Sequence, residues 1–140
     1  MSKLHLFLSC GSAFAVATGA AQLERVAPET EVPSVSVDEL ASAVREEARA
    51  PLVIDVRLEE DFDADPVLIP EATWRDPNAI DSWVEELSPE KPVVVYCVRG
   101  HWVSQSVTKK LRDMGLNVAQ LTGGIEAWKA AGNRTTKATR

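Results

Sequence analysis

The chain is short of the residues that metal and nucleic-acid sites need. It has two cysteines, Cys10 and Cys97, and two histidines, His5 and His101. No pair of them has metal-ligand spacing, so no metal site is expected. Basic residues are also outnumbered: 15 Lys and Arg stand against 21 Asp and Glu, for a formal charge of −6. That balance argues against a nucleic-acid surface, which needs a basic patch or stripe. Any anion site must then be local, built from a few N–H groups and one or two Arg. Internal repeats are absent as well. What is there suits one domain of ordinary size: 140 residues, 45% of them hydrophobic, enough for a packed core.

The first 21 residues stand apart. Lys3 precedes a stretch free of Asp, Glu, Lys and Arg through residue 21, rich in Leu, Phe, Val and Ala and ending in Thr18-Gly19-Ala20-Ala21. Residues 1–21 read as a secretory signal peptide cleaved around Ala20 or Ala21. An uncleaved membrane anchor is the alternative, since about 20 apolar residues span a bilayer. The plainer reading is a buried N-terminal helix. The expectation is an exported protein, periplasmic or anchored facing outside, that meets membrane only through this segment; a cytoplasmic protein is the alternative. Cleavage would leave Cys97 as the sole thiol, with no partner in the chain, and a leftover cysteine reads as reactive. Residues 22–33 form a linker with Pro28 and Pro33, residues 34–132 a domain, and residues 133–140 a polar, flexible tail.

Within the domain, strand and helix patterns alternate. Val35-Ser36-Val37 begins as a strand, and Asp38 can cap a helix running to about Ala48. Leu52-Val53-Ile54 and Val93-Val94-Val95-Tyr96 are continuous apolar runs, as strands buried on both faces of a parallel sheet require. Leu58 to Asp61 looks like one helical turn, and Pro66, Pro70 and Pro77 punctuate an irregular region around Trp74. Residues 78–87 are amphipathic, with Ile80, Trp83, Val84 and Leu87 on one stripe. A helix over 103–114 ends at Gly115, a strand follows at 118–121, and Gly123-Gly124 turns into a last helix. The alternation predicts βαβ units on a parallel sheet.

Cys97 directly follows the run ending at Tyr96, with a helix pattern just beyond Gly100. A strand-to-helix turn places it at the carboxyl edge of the sheet, where open α/β sheets bind ligands. Free N–H groups and the helix dipole there favour thiolate over thiol. A candidate nucleophile thus arrives with a means of activation. The plain alternative is an inert buried cysteine.

Four segments then resemble one family in the right order. Ile54-Asp55-Val56-Arg57 is similar to the strand-end motif of the rhodanese domain. Leu68-Ile69-Pro70-Glu71-Ala72 is similar to its hIPGA turn, with Glu71 in place of the usual Gly. Tyr96-Cys97-Val98-Arg99-Gly100 resembles its active loop, and residues 121–128, Leu-Thr-Gly-Gly-Ile-Glu-Ala-Trp, its closing motif. The resemblance implies a single α/β domain with a central, mostly parallel five-stranded sheet and helices on both faces. It implies a sulfurtransferase that carries sulfur as a Cys97 persulfide, from a thiosulfate- or persulfide-type donor to cyanide or a thiol, and needs no cofactor. The partners would be a small sulfur-containing anion or a thiol or persulfide, with a thioredoxin-like protein as a candidate reductant. Backbone N–H groups over Val98, Arg99, Gly100, His101, Trp102 and Val103 would cradle the anion, with Asp55 and Arg57 in support. Residues 72–77 and 100–105 also resemble a subset of rhodanese domains associated with chromate resistance.

The departures from that pattern matter. The family's six-residue loop often ends in Arg, where this chain has Trp102. Related phosphatases place Arg one residue later, where this chain has Val103, so phosphatase and oxyanion-reductase readings lose ground. Arg99 and His101 are candidates for the missing positive charge, against their plain reading as exposed loop residues. Trp102 is a candidate cover for the pocket mouth. Asp55 and Arg57 read more simply as structural, and Ser104 and Gln105 as ordinary first-turn residues. Two function classes therefore stand: a sulfurtransferase, or a rhodanese-fold binding module without turnover.

Overall fold

Strands and helices alternate through residues 32–139, the stretch that the computed structural model describes. In chain order these are β1 (Ser34–Val35), α1 (Val37–Arg45), β2 (Leu52–Asp55), α2 (Glu59–Ala64), β3 (Val67–Leu68), β4 (Thr73–Trp74), α3 (Ile80–Trp83), β5 (Val93–Tyr96), α4 (Trp102–Asp113), β6 (Val118–Leu121), α5 (Gly124–Ala130) and β7 (Thr136–Lys137). The expected signal segment and nearly all of the linker lie outside the described residues.

The main sheet has the order β1-β6-β5-β2-β4, and every pairing in it is parallel. The α/β architecture and five-stranded sheet agree with the expectation. Side chains alternate across the sheet with the period of two that strands impose. Ile54, Val93, Val95 and Val118 meet Ile80, Trp83, Val107 and Leu111 from α3 and α4. Val53, Val94, Tyr96 and Leu121 meet Leu40, Ile125 and Trp128 from α1 and α5. Both faces are covered, which is why the two central strands read as unbroken apolar runs.

Several local expectations shift. The cap of α1 is Ser36, not Asp38. Its hydroxyl accepts from the Glu39 N–H at 3.1 Å, and the Ser36 N–H donates to the Glu39 carboxylate at 2.8 Å. This reciprocal capping box satisfies two end groups at once, which a cap at Asp38 would not. The fifth strand is Thr73–Trp74, inside the proline-punctuated stretch expected to be irregular. Within the tail read as flexible, Thr136–Lys137 instead pairs antiparallel with Val67–Leu68. The indole N–H of Trp128 holds the Arg134 carbonyl at 2.8 Å, bringing the chain back to that edge.

The turn Ile69-Pro70-Glu71-Ala72 closes with an Ala72 N–H to Ile69 carbonyl bond of 2.9 Å, and Glu71 has φ +72°. A turn with Pro second and a left-handed third residue is the type that calls for glycine there. Glu71 holds that conformation against the steric cost its Cβ imposes. Glu71→Gly is therefore expected to stabilise the fold by about 0.5–1 kcal/mol. Paired denaturant titrations check this; an unmoved or lowered midpoint would count against strain at this turn.

Candidate active site

Cys97 leaves β5 at the carboxyl edge of the sheet and is 5% exposed. The chain then curls through residues 98–101 into α4. What shapes the curl is the capture of its carbonyl groups, by α5 on one side and by the start of α4 on the other. The Ile125 and Glu126 N–H groups, in the first turn of α5, donate to the carbonyls of Cys97 and Val98, each at 3.0 Å. The Gln105 side-chain amide donates to the Gly100 carbonyl at 3.0 Å, and the Gln105 N–H to that of His101 at 3.2 Å. In a trans peptide the carbonyl and the next N–H point in opposite directions. Drawing these four carbonyls outward therefore turns the N–H groups of Val98, Arg99, His101 and Trp102 the other way. Among the described residues, no protein group accepts from the N–H groups of residues 98–101. Such a run of unpaired donors is an anion cradle in form.

Two glycines permit this packing. A Cβ on Gly124 would stand 2.4 Å from the carbonyl oxygens of both Cys97 and Val98. A Cβ on Gly100, where φ is +77°, would lie 2.8 Å from the Gly123 nitrogen. The motif after β6 is thus the back wall of the cysteine loop as well as a helix start. Gly124→Ala is expected to lower stability by about 1–3 kcal/mol, the usual cost of overpacking. Chemical unfolding beside the wild type measures it; an unchanged midpoint would mean that the loop yields freely.

Behind the cysteine lies a polar chain. Sγ of Cys97 is 3.2 Å from Oγ of Ser104, and that hydroxyl donates to Oε1 of Gln120 at 2.7 Å. The Gln120 amide in turn reaches Oγ of Ser34 at 3.4 Å, and Ser34 donates to the Val32 carbonyl at 3.2 Å. Ser104 is fully buried and Gln120 nearly so. By sequence Ser104 and Gln105 are ordinary first-turn helix residues, and Gln120 belongs to none of the four motifs. The signal available was a Gln inside Val118-Ala119-Gln120-Leu121, a polar side chain in a strand otherwise fit for burial.

The other expected site residues separate into a rim and a lock. Arg99, His101 and Trp102 are exposed, Trp102 at 66%; Val98 and Val103 are half-buried and Gly100 is buried. Trp102 opens α4 on the rim of the loop. Asp55 and Arg57 lie at the end of β2, and among the described residues no hydrogen bond joins them to residues 97–103. Their work is structural. Arg57 is 2% exposed and grips the fully buried Asp55 carboxylate, with Nη2 to Oδ2 at 2.7 Å and Nε to Oδ1 at 3.1 Å. It also donates to the carbonyls of Asp65 and Val67 at 3.1 and 2.8 Å and lies over the Phe62 ring. Burial pushes the Asp55 carboxyl up, against the pull of Arg57. Next to it, burial pushes the Tyr96 phenol up and the Asp55 charge adds to this, so Tyr96 stays neutral; its oxygen accepts from the Ile69 N–H at 3.2 Å.

A family model described as a rhodanese-like domain matches residues 36–131. The chain belongs to the rhodanese-like family. Among its relatives in that family is the thiosulfate sulfurtransferase GlpE of Pseudomonas syringae pv. syringae (strain B728a). It is 33% identical over 92 residues, covering 65% of this chain and 82% of the relative. The thiosulfate sulfurtransferase GlpE of Coxiella burnetii (strain RSA 331 / Henzerling II) is 35% identical over 80 residues, with 56% and 72% covered. A rhodanese-related protein from Thermoplasma volcanium superposes with a TM-score of 0.64 at 22% identity, over 74% of this chain and 97% of that one. At that identity the likeness speaks for the rhodanese fold alone.

Proposed function

We propose that the protein is a sulfurtransferase that carries sulfur on Cys97. The observation that carries this reading is the loop around the cysteine, whose captured carbonyls leave a run of unpaired N–H groups next to the Cys97 thiol. In the first half-reaction the Cys97 thiolate attacks the outer sulfur of thiosulfate. The Cys97 S–S bond forms, the sulfur–sulfonate bond breaks, and sulfite leaves with the electron pair. In the second, cyanide or a thiolate attacks the outer sulfur of the persulfide, and the Cys97 thiolate is the leaving group. Charge is conserved in each step, and neither needs a redox partner. The inward N–H groups are placed for the anionic sulfonate and for the charge on the outer sulfur. Arg99, exposed on the rim with His101 close by in the loop, adds positive charge in place of the missing loop-end Arg. The sulfurtransferase names of the two relatives support the same reading.

The exposed Trp102 favours a second reading, in which the loop docks a partner without turnover. One experiment separates the two: thiosulfate:cyanide transfer by the purified protein, with intact mass recorded after thiosulfate alone. Thiocyanate and a one-sulfur mass gain, both requiring Cys97, support the sulfurtransferase. Absence of both sinks it and leaves the docking module.

A further inference from the structure

The polar chain behind Cys97 is costly to build. Ser104 and Gln120 are buried, and Thr108, one helical turn beyond Ser104 on the same face of α4, keeps a fully buried hydroxyl with no hydrogen-bond partner. Val118 of the same strand shares its face with Gln120 and packs apolar against α4. Apolar side chains would fill the neighbouring space more cheaply, and buried polar groups of this kind ask for an explanation.

With the cysteine as a thiol, the chain runs one way. S–H donates to Ser104, Ser104 to Gln120, the Gln120 amide to Ser34, and Ser34 to the Val32 carbonyl. Every member can also run the other way. Once the thiol has given its proton to solvent, the Ser104 hydroxyl can turn and donate to Sγ. Its oxygen then faces Gln120 with lone pairs only, so the amide must rotate to present Nε2, which leaves Oε1 toward Ser34. The Ser34 hydroxyl turns from Val32 to donate to that oxygen. Each hydrogen bond is replaced by its reverse, and the one acceptor released, the Val32 carbonyl, lies beside exposed Ser34. Hydroxyls and a primary amide allow such a reversal, since each can both donate and accept.

We propose that Ser104 is a catalytic residue that holds the Cys97 thiolate through this reversible chain, with Gln120 as its positioning residue. The inference rests on the reading of Cys97 as the nucleophile. The thiolate occurs at the start of the cycle and again as the leaving group of the second half-reaction. In the persulfide the negative charge has moved to the outer sulfur. A donor at 3.2 Å from Sγ therefore favours the two states that have to be reached for attack and for release, and does little for the resting persulfide.

The test is the pH profile of iodoacetamide alkylation in the full chain, read on the Cys97-containing peptide so that Cys10 does not contribute. Titratable side chains at this end of the surrounding elements are Arg99 and His101 of the loop, Tyr96 before it, Asp55 and Arg57 at the end of β2, and Glu126 of α5; those of α4 begin only at Lys109, and the other in α5 is Lys129. All are kept in the variants. Ser104→Ala is expected to move the midpoint up by about one pH unit, slowing alkylation at neutral pH by about tenfold. Gln120→Leu is expected to move the midpoint in the otherwise wild-type chain. It should have no further effect in a chain already carrying Ser104→Ala, because Gln120 acts only through that hydroxyl. A Ser104→Ala profile lying on the wild-type one overturns the proposal. So does a Gln120→Leu shift of equal size in both backgrounds, which would mark a general disturbance of packing. Alkylation reports on the thiolate without sulfur transfer. An unmoved profile in a protein that makes thiocyanate would thus sink the Ser104 role alone, and a moved profile without thiocyanate would sink the sulfurtransferase reading alone.

Discussion

Cys97→Ser is expected to abolish thiocyanate formation, by on the order of a thousand-fold or more, while leaving the fold intact. The two halves of that expectation have separate causes. A serine hydroxyl is scarcely ionised at neutral pH and is a poor nucleophile toward sulfur without a base to activate it. Among the described residues, the side-chain neighbour of Sγ is a second hydroxyl, Ser104, which is no base. The replacement is also nearly isosteric, and its hydroxyl can keep the bond to Ser104, so no polar group is orphaned. Intact mass after thiosulfate should show the one-sulfur gain in the wild type only, with closely matched thermal midpoints. Turnover at more than a few per cent of wild type in the variant would move the sulfur carrier away from Cys97.

Arg57→Ala is expected to be the most damaging substitution for stability, at about 3–5 kcal/mol. That is a large share of the roughly 5–15 kcal/mol typical of a whole domain. The loss goes beyond one ion pair. The fully buried Asp55 carboxylate would keep only its bonds to the residue 57 N–H and the Tyr96 hydroxyl, and the carbonyls of Asp65 and Val67 would lose their donor. Phe62 would lose the guanidinium over its ring. The variant should also show a characteristic pH response. Burial already raises the Asp55 carboxyl above its ordinary value of 3.8, and removing the positive charge raises it further. A carboxyl raised in the folded state binds its proton more tightly there than in the unfolded chain. Stability then falls as pH rises from the unfolded value through the folded one, and is recovered on acidification through that window. Urea titrations of Arg57→Ala at neutral and mildly acidic pH should show the deficit shrinking in acid. A deficit that stays constant, or grows, would mean that the damage lies in packing and not in the stranded charge.

The sequence exposed the parts of this molecule that follow from periodicity. The strands over 52–55 and 93–96 were readable because burial on both faces makes Leu52–Ile54 and Val93–Tyr96 continuous apolar runs, and 118–121 because only Gln120 interrupts its apolar residues. Cys97 was readable because it follows one of them at the turn toward a helix. Thr73–Trp74 was not, since two residues at a sheet edge carry no period and prolines surround them. Thr136–Lys137 was hidden for a similar reason: two exposed polar residues form a strand because Val67–Leu68 is there to pair with them. The capture of the loop carbonyls was out of reach as well, because α5 and Gln105 approach the loop from different parts of the chain. Gln120 was visible as an oddity in its strand, but its register beside Ser34 on a neighbouring strand appears only once the sheet is assembled.

For the sulfurtransferase proposed above, the pinned loop would also decide how cargo changes hands. With its carbonyls held on one side by α5 and on the other by Gln105, the segment bearing Cys97 has no slack with which to swing outward. A persulfide adds only about 2 Å of reach beyond Sγ, from a side chain that is itself almost wholly covered. The receiving molecule has to come all the way in. Slender acceptors manage this unaided, whereas a thiol on a protein must stand on a projecting tip. Choice among acceptors thus becomes a matter of calibre.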